Sequence, residues 1–109
     1  MYSKIALSIG GSDSGGGAGI QADLRTFMAL KVHGCSVLTC ITVQNSVEVR
    51  CVEPVERDTL LSQLDTLFAD FGIDSLKTGM LLNERIINDT ASKLKTYKIT
   101  KIIDPFICF

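Results

Sequence analysis

Gly10-Gly11-Ser12-Asp13-Ser14-Gly15-Gly16-Gly17-Ala18-Gly19-Ile20-Gln21-Ala22-Asp23-Leu24-Arg25 directly follows the apolar run Ile5-Ala6-Leu7-Ser8-Ile9, and the reading of this junction decides the fold. Six of the ten positions from Gly10 to Gly19 are glycine. Each glycine loses more backbone freedom on ordering than any other residue, so such a run makes a poor strand or helix interior. The junction reads as a strand over residues 4–9, a glycine-rich loop, and a helix over residues 18–32. In that helix Ile20, Leu24, Phe27 and Met28 share one face at i, i+4, i+7 and i+8. A loop of this kind lets main-chain groups come close to a ligand. The helix behind it turns unpaired N–H groups and the positive end of its dipole toward the crevice.

Two well-known glycine motifs fail on mechanical grounds. A P-loop needs lysine followed by serine or threonine after its last glycine, and no lysine lies between Lys4 and Lys31. A dinucleotide fingerprint needs Gly-x-Gly-x-x-Gly, which Gly15, Gly17 and Ile20 do not satisfy. The acid that would hold a ribose after the second strand is replaced by Gln44-Asn45. A turn without a ligand remains the simpler alternative, but turns normally need one or two glycines.

Outward from the junction, apolar periodicity alternates between two and about 3.6 residues, the mark of a parallel sheet covered by helices. Residues 35–43 are apolar at nearly every position and form a second, central strand, and residues 47–52 form a short extended piece ended by Pro54. Residues 57–70 form the clearest helix, with Leu60, Leu61, Leu64, Leu67 and Phe68 inward and Asp58, Gln63, Asp65 and Asp70 toward water, closed by Gly72. A third strand covers residues 73–78. Asn83 caps a helix reaching about Tyr97, with Ile86, Ile87, Ala91 and Leu94 inward, and a fourth strand covers residues 100–103. The order predicts an open, mainly parallel α/β sheet whose four main strands run the same way.

The chain has 109 residues, 46% of them apolar and 21% charged, which suits a single globular domain over residues 1–109. Its net charge of −1 argues against a nucleic-acid surface. No segment has the length of a membrane span, and the amino terminus lacks a basic stretch followed by a signal core, so the expected compartment is the cytoplasm. Cys35, Cys40, Cys51 and Cys108 show no paired metal spacing and read as small buried hydrophobes in a reducing compartment. His33, after Lys31 and before Gly34, reads as part of a helix carboxyl terminus.

In an open parallel sheet ligands sit beyond the carboxyl ends of the strands, which aligns Gly10 and Gly11, Gln44 and Asn45, Gly79 and Met80, and Asp104 along one edge. A neutral amide such as Gln44 can read the edge of a nitrogen heterocycle; its simpler reading, and that of Asn45, is a turn. Asp23 lies on the second turn of the first helix, where the dipole alone would favour its charge. Met80 is either core filler or a soft surface for a flat ring. Asp104 before Pro105 could simply terminate a strand.

The run from Gly10 to Thr26, followed in order by Val43-Gln44-Asn45, Lys77-Thr78-Gly79-Met80-Leu81 and Asp104-Pro105, resembles the hydroxymethylpyrimidine and phosphomethylpyrimidine kinases of thiamine biosynthesis, members of the ribokinase-like group. The resemblance implies that Asp23 and Gln44 hydrogen-bond an aminopyrimidine, that Gly11 and Met80 line its pocket, and that Asp104 lies toward the phosphate and metal region. It implies ATP and Mg2+ as cofactors, with no residue here ligating the metal directly. It also implies transfer of the γ-phosphoryl group to a hydroxymethyl group and then to the resulting monoester. The family's base and anion hole lie in a glycine-rich carboxyl-terminal segment expected beyond Phe109. The chain therefore reads as the substrate half of a domain more than twice its length, truncated after about four main strands and inactive alone. A bare sheet edge predicts poor solubility or association, and the complete domain is expected as a homo-oligomer, a dimer. Two alternatives stand beside this reading: a related pyridoxal kinase, and a non-enzymatic heterocycle-binding module.

Overall fold

A computed structural model describes residues 4–104. In chain order it contains β1 (Ile5–Asp13), α1 (Gly19–Ala29), β2 (His33–Gln44), β3 (Val49–Pro54), α2 (Arg57–Asp70), β4 (Ser75–Thr78), α3 (Glu84–Leu94) and β5 (Thr100–Ile103). One sheet runs in the order β3-β2-β1-β4-β5. β1, β2, β4 and β5 pair in parallel as the alternating periodicity requires, and β3 returns antiparallel along β2. Cys108, one of the four cysteines, lies outside the described residues.

The two sides of the sheet differ in side-chain size. Leu7, Ile9, Val37 and Leu76 project to one side and form the core with Leu60 and Leu64 of α2 and Ile86 and Leu94 of α3. Successive strand residues point to opposite faces, so Ala6, Ser8 and Gly10 turn toward α1. A Cβ on Gly34 would lie 2.8 Å from both Leu24 and Phe27. Small residues on this face let α1 pack close to the sheet.

Several local expectations change. β1 continues four residues past Ile9, because Gly10 to Asp13 find partners in Leu38 to Thr42 of β2, with a bulge beside Thr39. Tertiary pairing thus overrides the poor strand propensity of the two glycines. Met28 is 68% exposed, since α1 meets the sheet only through the narrower stripe of Ile20, Leu24 and Phe27. α3 buries Ile86, Thr90 and Leu94, whereas Ile87 and Ala91 face outward. His33 opens β2 and stacks on Phe71 at 5.6 Å instead of ending α1. The turn out of α1 is made by Lys31 at φ 59°. α2 ends in extended backbone at Phe71, so Gly72 lies past the cap and does not form it. Cys35 and Cys40 are buried as expected, but Cys51 is exposed on the edge strand β3.

Gln63 does not face water. Its amide donates to the Leu38 carbonyl at 3.0 Å and accepts from the Leu38 N–H at 2.9 Å. β3 pairs with β2 only as far back as Cys40, and Val55 N still reaches the Thr39 carbonyl at 2.9 Å, so the glutamine takes the place of a neighbouring strand at Leu38.

Candidate functional site

β2 and β4 flank β1 on opposite sides, so lateral growth of the sheet reverses at β1 and a crevice opens at the carboxyl ends of β1 and β4. Two glycines form its floor. A Cβ on Gly10 would face Ile20 of α1, Gly79 and the Met80 nitrogen, all at 3.7 Å. A Cβ on Gly11 would lie 2.8 Å from Cys40 Sγ and 3.1 Å from Met80 Cε. Met80 therefore passes across the end of β1, its main chain beside Gly10 and its thioether against Gly11. Two hydrogen bonds hold it there: Thr39 Oγ1 donates to the Met80 carbonyl at 2.6 Å, and Gly79 N donates to the Ile9 carbonyl at 2.7 Å.

The glycine loop is organised by Asp13. One carboxylate oxygen accepts from Gly15 N and the other from Ala18 N, each at 2.8 Å, and the Asp13 carbonyl accepts from Gly16 N at 2.9 Å. These N–H groups are therefore already satisfied within the loop instead of pointing toward a ligand, as the sequence had implied. Arg25 donates to the Gly16 carbonyl at 2.5 Å, closing the loop onto α1. Gly19 is required by geometry: its φ is 63°, and an added Cβ would stand 2.5 Å from the Gly11 carbonyl oxygen. Ser14 Oγ fastens the loop to the end of β2, donating to the Gln44 carbonyl at 2.5 Å and accepting from Gln44 N at 2.8 Å.

The candidate residues occupy distinct stations. Gly11 and Met80 are neighbours, a Cβ on Gly11 standing 3.1 Å from Met80 Cε. Asp23, on the second turn of α1, turns its carboxylate to the sheet, where Oδ2 accepts from Ser8 Oγ at 2.7 Å and pairs with Lys77 Nζ at 2.9 Å. A Cβ on Gly79 would lie 3.3 Å from that same Nζ, so the ion pair adjoins the crevice floor. Gln44 ends β2, half-buried, its main chain held by Ser14. Asn45 is a turn residue whose Oδ1 accepts from Val47 N at 2.9 Å and Glu48 N at 3.0 Å. Asp104 follows β5, is exposed, and donates its N–H to the Thr78 carbonyl at 3.2 Å. No single hydrogen-bonded cluster joins these residues. Among the described residues no group of three or more histidine, cysteine, aspartate or glutamate side chains could hold a metal ion.

Ser8, Thr39, Asp13 and Lys77 escaped the sequence reading. A signal for Lys77 existed: it alternates with Leu76 and Thr78 in a strand buried on one face, so its charge needs a partner, and Asp23 is the only acid in α1. Thr39 left no comparable trace, since a threonine in an apolar strand is ordinary.

A family described as phosphomethylpyrimidine kinase matches residues 13–109. The chain belongs to the phosphomethylpyrimidine kinase family. The hydroxymethylpyrimidine/phosphomethylpyrimidine kinase of Synechococcus elongatus is 50% identical over 105 residues, covering 96% of this chain and 40% of that protein. The Escherichia coli protein of the same name is 46% identical over 98 residues, covering 90% of this chain and 37% of its own length. Among solved structures, phosphomethylpyrimidine kinase from Clostridium difficile 630 superposes with a TM-score of 0.93 at 39% identity, over 97% of this chain and 46% of that one. Pyridoxal kinase from Staphylococcus aureus in complex with AMP-PCP and pyridoxal gives 0.85 at 36% identity, over 96% and 39%. The open sheet with flanking helices is thus the ribokinase-like architecture of vitamin kinases. This phosphomethylpyrimidine kinase family member spans about 40% of the length of the curated relatives it matches.

Proposed function

We propose that these residues form the substrate-binding part of a kinase that uses ATP to phosphorylate 4-amino-5-hydroxymethyl-2-methylpyrimidine and then its monophosphate. The observation that carries the reading is the bare floor at Gly10 and Gly11, crossed by Met80 and flanked by the Asp23 carboxylate. A flat ring can lie beside the glycine backbone with its face or edge against the polarizable Met80 thioether. The ring's exocyclic amine can donate to Asp23, and Gln44 offers both a donor and an acceptor to a ring edge. Family membership and the names of its relatives favour the same substrate class.

ATP is the natural phosphoryl donor for this family, in keeping with the AMP-PCP and ADP complexes of related pyridoxal kinases. Among the described residues Asp104 is the one candidate carboxylate following β5, too few groups for an all-protein metal site. Mg2+ would therefore be held chiefly by the nucleotide phosphates, its usual mode in phosphoryl transfer, and would offset their charge. The residues here orient the pyrimidine. The base and the donors that hold the moving phosphoryl group belong to the carboxyl-terminal part of the domain, so residues 1–109 alone are inactive. The complete protein acts in the cytoplasm as a homodimer.

The test is ATP-dependent phosphorylation of the pyrimidine by the full-length gene product, with Asp23→Ala and Gln44→Ala. Loss of a charge-assisted hydrogen bond raises KM roughly 10- to 100-fold. An unchanged KM in both variants refutes the substrate assignment. Pyridoxal phosphorylation is the second reading, favoured by pyridoxal kinases 36% and 41% identical to this chain. Direct competition between the two substrates decides between them, and tight heterocycle binding without phosphorylation supports a binding module instead.

A further inference from the structure

Asp23 is held asymmetrically. Both protein donors, Ser8 Oγ at 2.7 Å and Lys77 Nζ at 2.9 Å, converge on Oδ2, and no described residue bonds Oδ1. Here one oxygen is anchored and the other is left available. The anchor comes from two separate strands: Ser8 is fully buried in β1, and Lys77 lies opposite it in the β1–β4 register. The side chains of Asp23 and Lys77 are each 24% exposed, so solvent competes only partly for the carboxylate. Lys77 Nζ also sits beside Gly79, the residue that leads into Met80. The position of the open oxygen is thus tied to the strand end that positions the thioether.

We propose that Lys77 is a positioning residue for substrate recognition: with Ser8 it clamps Asp23 Oδ2, so that Oδ1 is presented to the exocyclic amine of the pyrimidine. The inference rests on the reading of Asp23 as a substrate contact. Without the clamp, rotation about the Cβ–Cγ bond of Asp23 is no longer restrained. The acceptor is then spread over several orientations, and binding loses the benefit of pre-organisation. The effect is expected on recognition of the amine and not on phosphoryl transfer, because Lys77 acts through Asp23.

The experiment compares wild-type full-length gene product with Lys77→Met, Lys77→Arg and Ser8→Ala, each assayed with the aminopyrimidine and with its analogue lacking the 4-amino group. For Lys77→Met the expected result is a KM for the aminopyrimidine raised roughly tenfold or more, the size of one weakened charge-assisted hydrogen bond. The kcat and the KM for ATP stay near wild type, and the KM for the desamino analogue is unchanged. Lys77→Arg restores part of the loss and Ser8→Ala shows a smaller one. A KM that does not move, or that rises equally for both substrates, overturns the proposal and leaves the pair a structural tie. If Lys77→Met does not fold, the same comparison with Lys77→Arg and Ser8→Ala decides by the same criterion. Wild-type protein that neither binds nor phosphorylates the aminopyrimidine removes the reading of the site, and this inference with it. Wild-type turnover with an insensitive Lys77 removes the inference alone.

Discussion

Replacing Gly11 by alanine tests whether the glycine pair is there for close approach. The new methyl group would stand 2.8 Å from Cys40 Sγ and 3.1 Å from Met80 Cε. Relaxed carbon contacts lie at about 3.5–4.0 Å, so the sulfur must retreat by roughly 0.7 Å or more. Met80 is flexible and gives way cheaply. Cys40 cannot: it is fully buried, and its backbone is paired on one side with Gly11 and on the other with Pro54. Overpacking of this kind costs about 1–3 kcal/mol, which denaturant unfolding reads as a lower midpoint at unchanged slope. Cys40→Ala removes the clashing sulfur at a cost of about 1 kcal/mol for the small cavity. The double variant Gly11→Ala/Cys40→Ala should therefore be more stable than the two single losses imply, by about 1 kcal/mol or more. Single losses that add to within about 0.5 kcal/mol would refute the reasoning, because the two positions would then not be competing for the same space.

Asp13→Ala strips the loop of the acceptor for Gly15 N and Ala18 N. Stability falls by about 1–3 kcal/mol and hydrogen exchange at those two amides accelerates, whereas unchanged exchange would refute the role given to Asp13. Asn83→Ala removes the α3 cap, whose Oδ1 accepts from Ile86 N at 2.9 Å, and lowers stability by about 1 kcal/mol in thermal or denaturant unfolding. Burial, and secondarily the charge of Asp70, raises the Cys35 thiol above its ordinary pKa of 9.0. The folded state thus binds more protons than the unfolded state between 9.0 and the raised value, and this contribution to stability falls as pH rises through that window. In alkylation at pH 8, Cys51 is modified first and Cys35 only on unfolding; equal rates for the two would contradict the burial of Cys35.

The parts of the fold legible in the sequence were those set by local pattern. α2 begins and ends where its apolar spacing places it, and the four parallel strands follow from the alternation of periods. What stayed hidden depends on partners far along the chain. Gly10 to Asp13 become strand only because β2 supplies their register. Gln63 reads as a surface glutamine until β3 stops short of Leu38. Met28 continues a helical stripe that the small-residue face of the sheet is too narrow to cover. At the site, strand ends pointed to Gly11 and Met80, and a Cβ on Gly11 would lie 3.1 Å from Met80 Cε. Strand ends alone do not point to the anchoring of Asp23, because Ser8 and Lys77 are separated from it by 15 and 54 positions and meet it through the β1–β4 register; the one sequence trace was a charged Lys77 in a half-buried strand.

The carboxylate of Asp13 has a consequence for ion selectivity. A glycine-rich turn ahead of a helix ordinarily attracts phosphate or sulfate from solution. Here the turn is supplied with a tethered negative group from its own strand, which a dissolved anion would have to displace. Inorganic phosphate is therefore expected to bind this glycine-rich turn poorly, because the Asp13 carboxylate already occupies the N–H groups it would need.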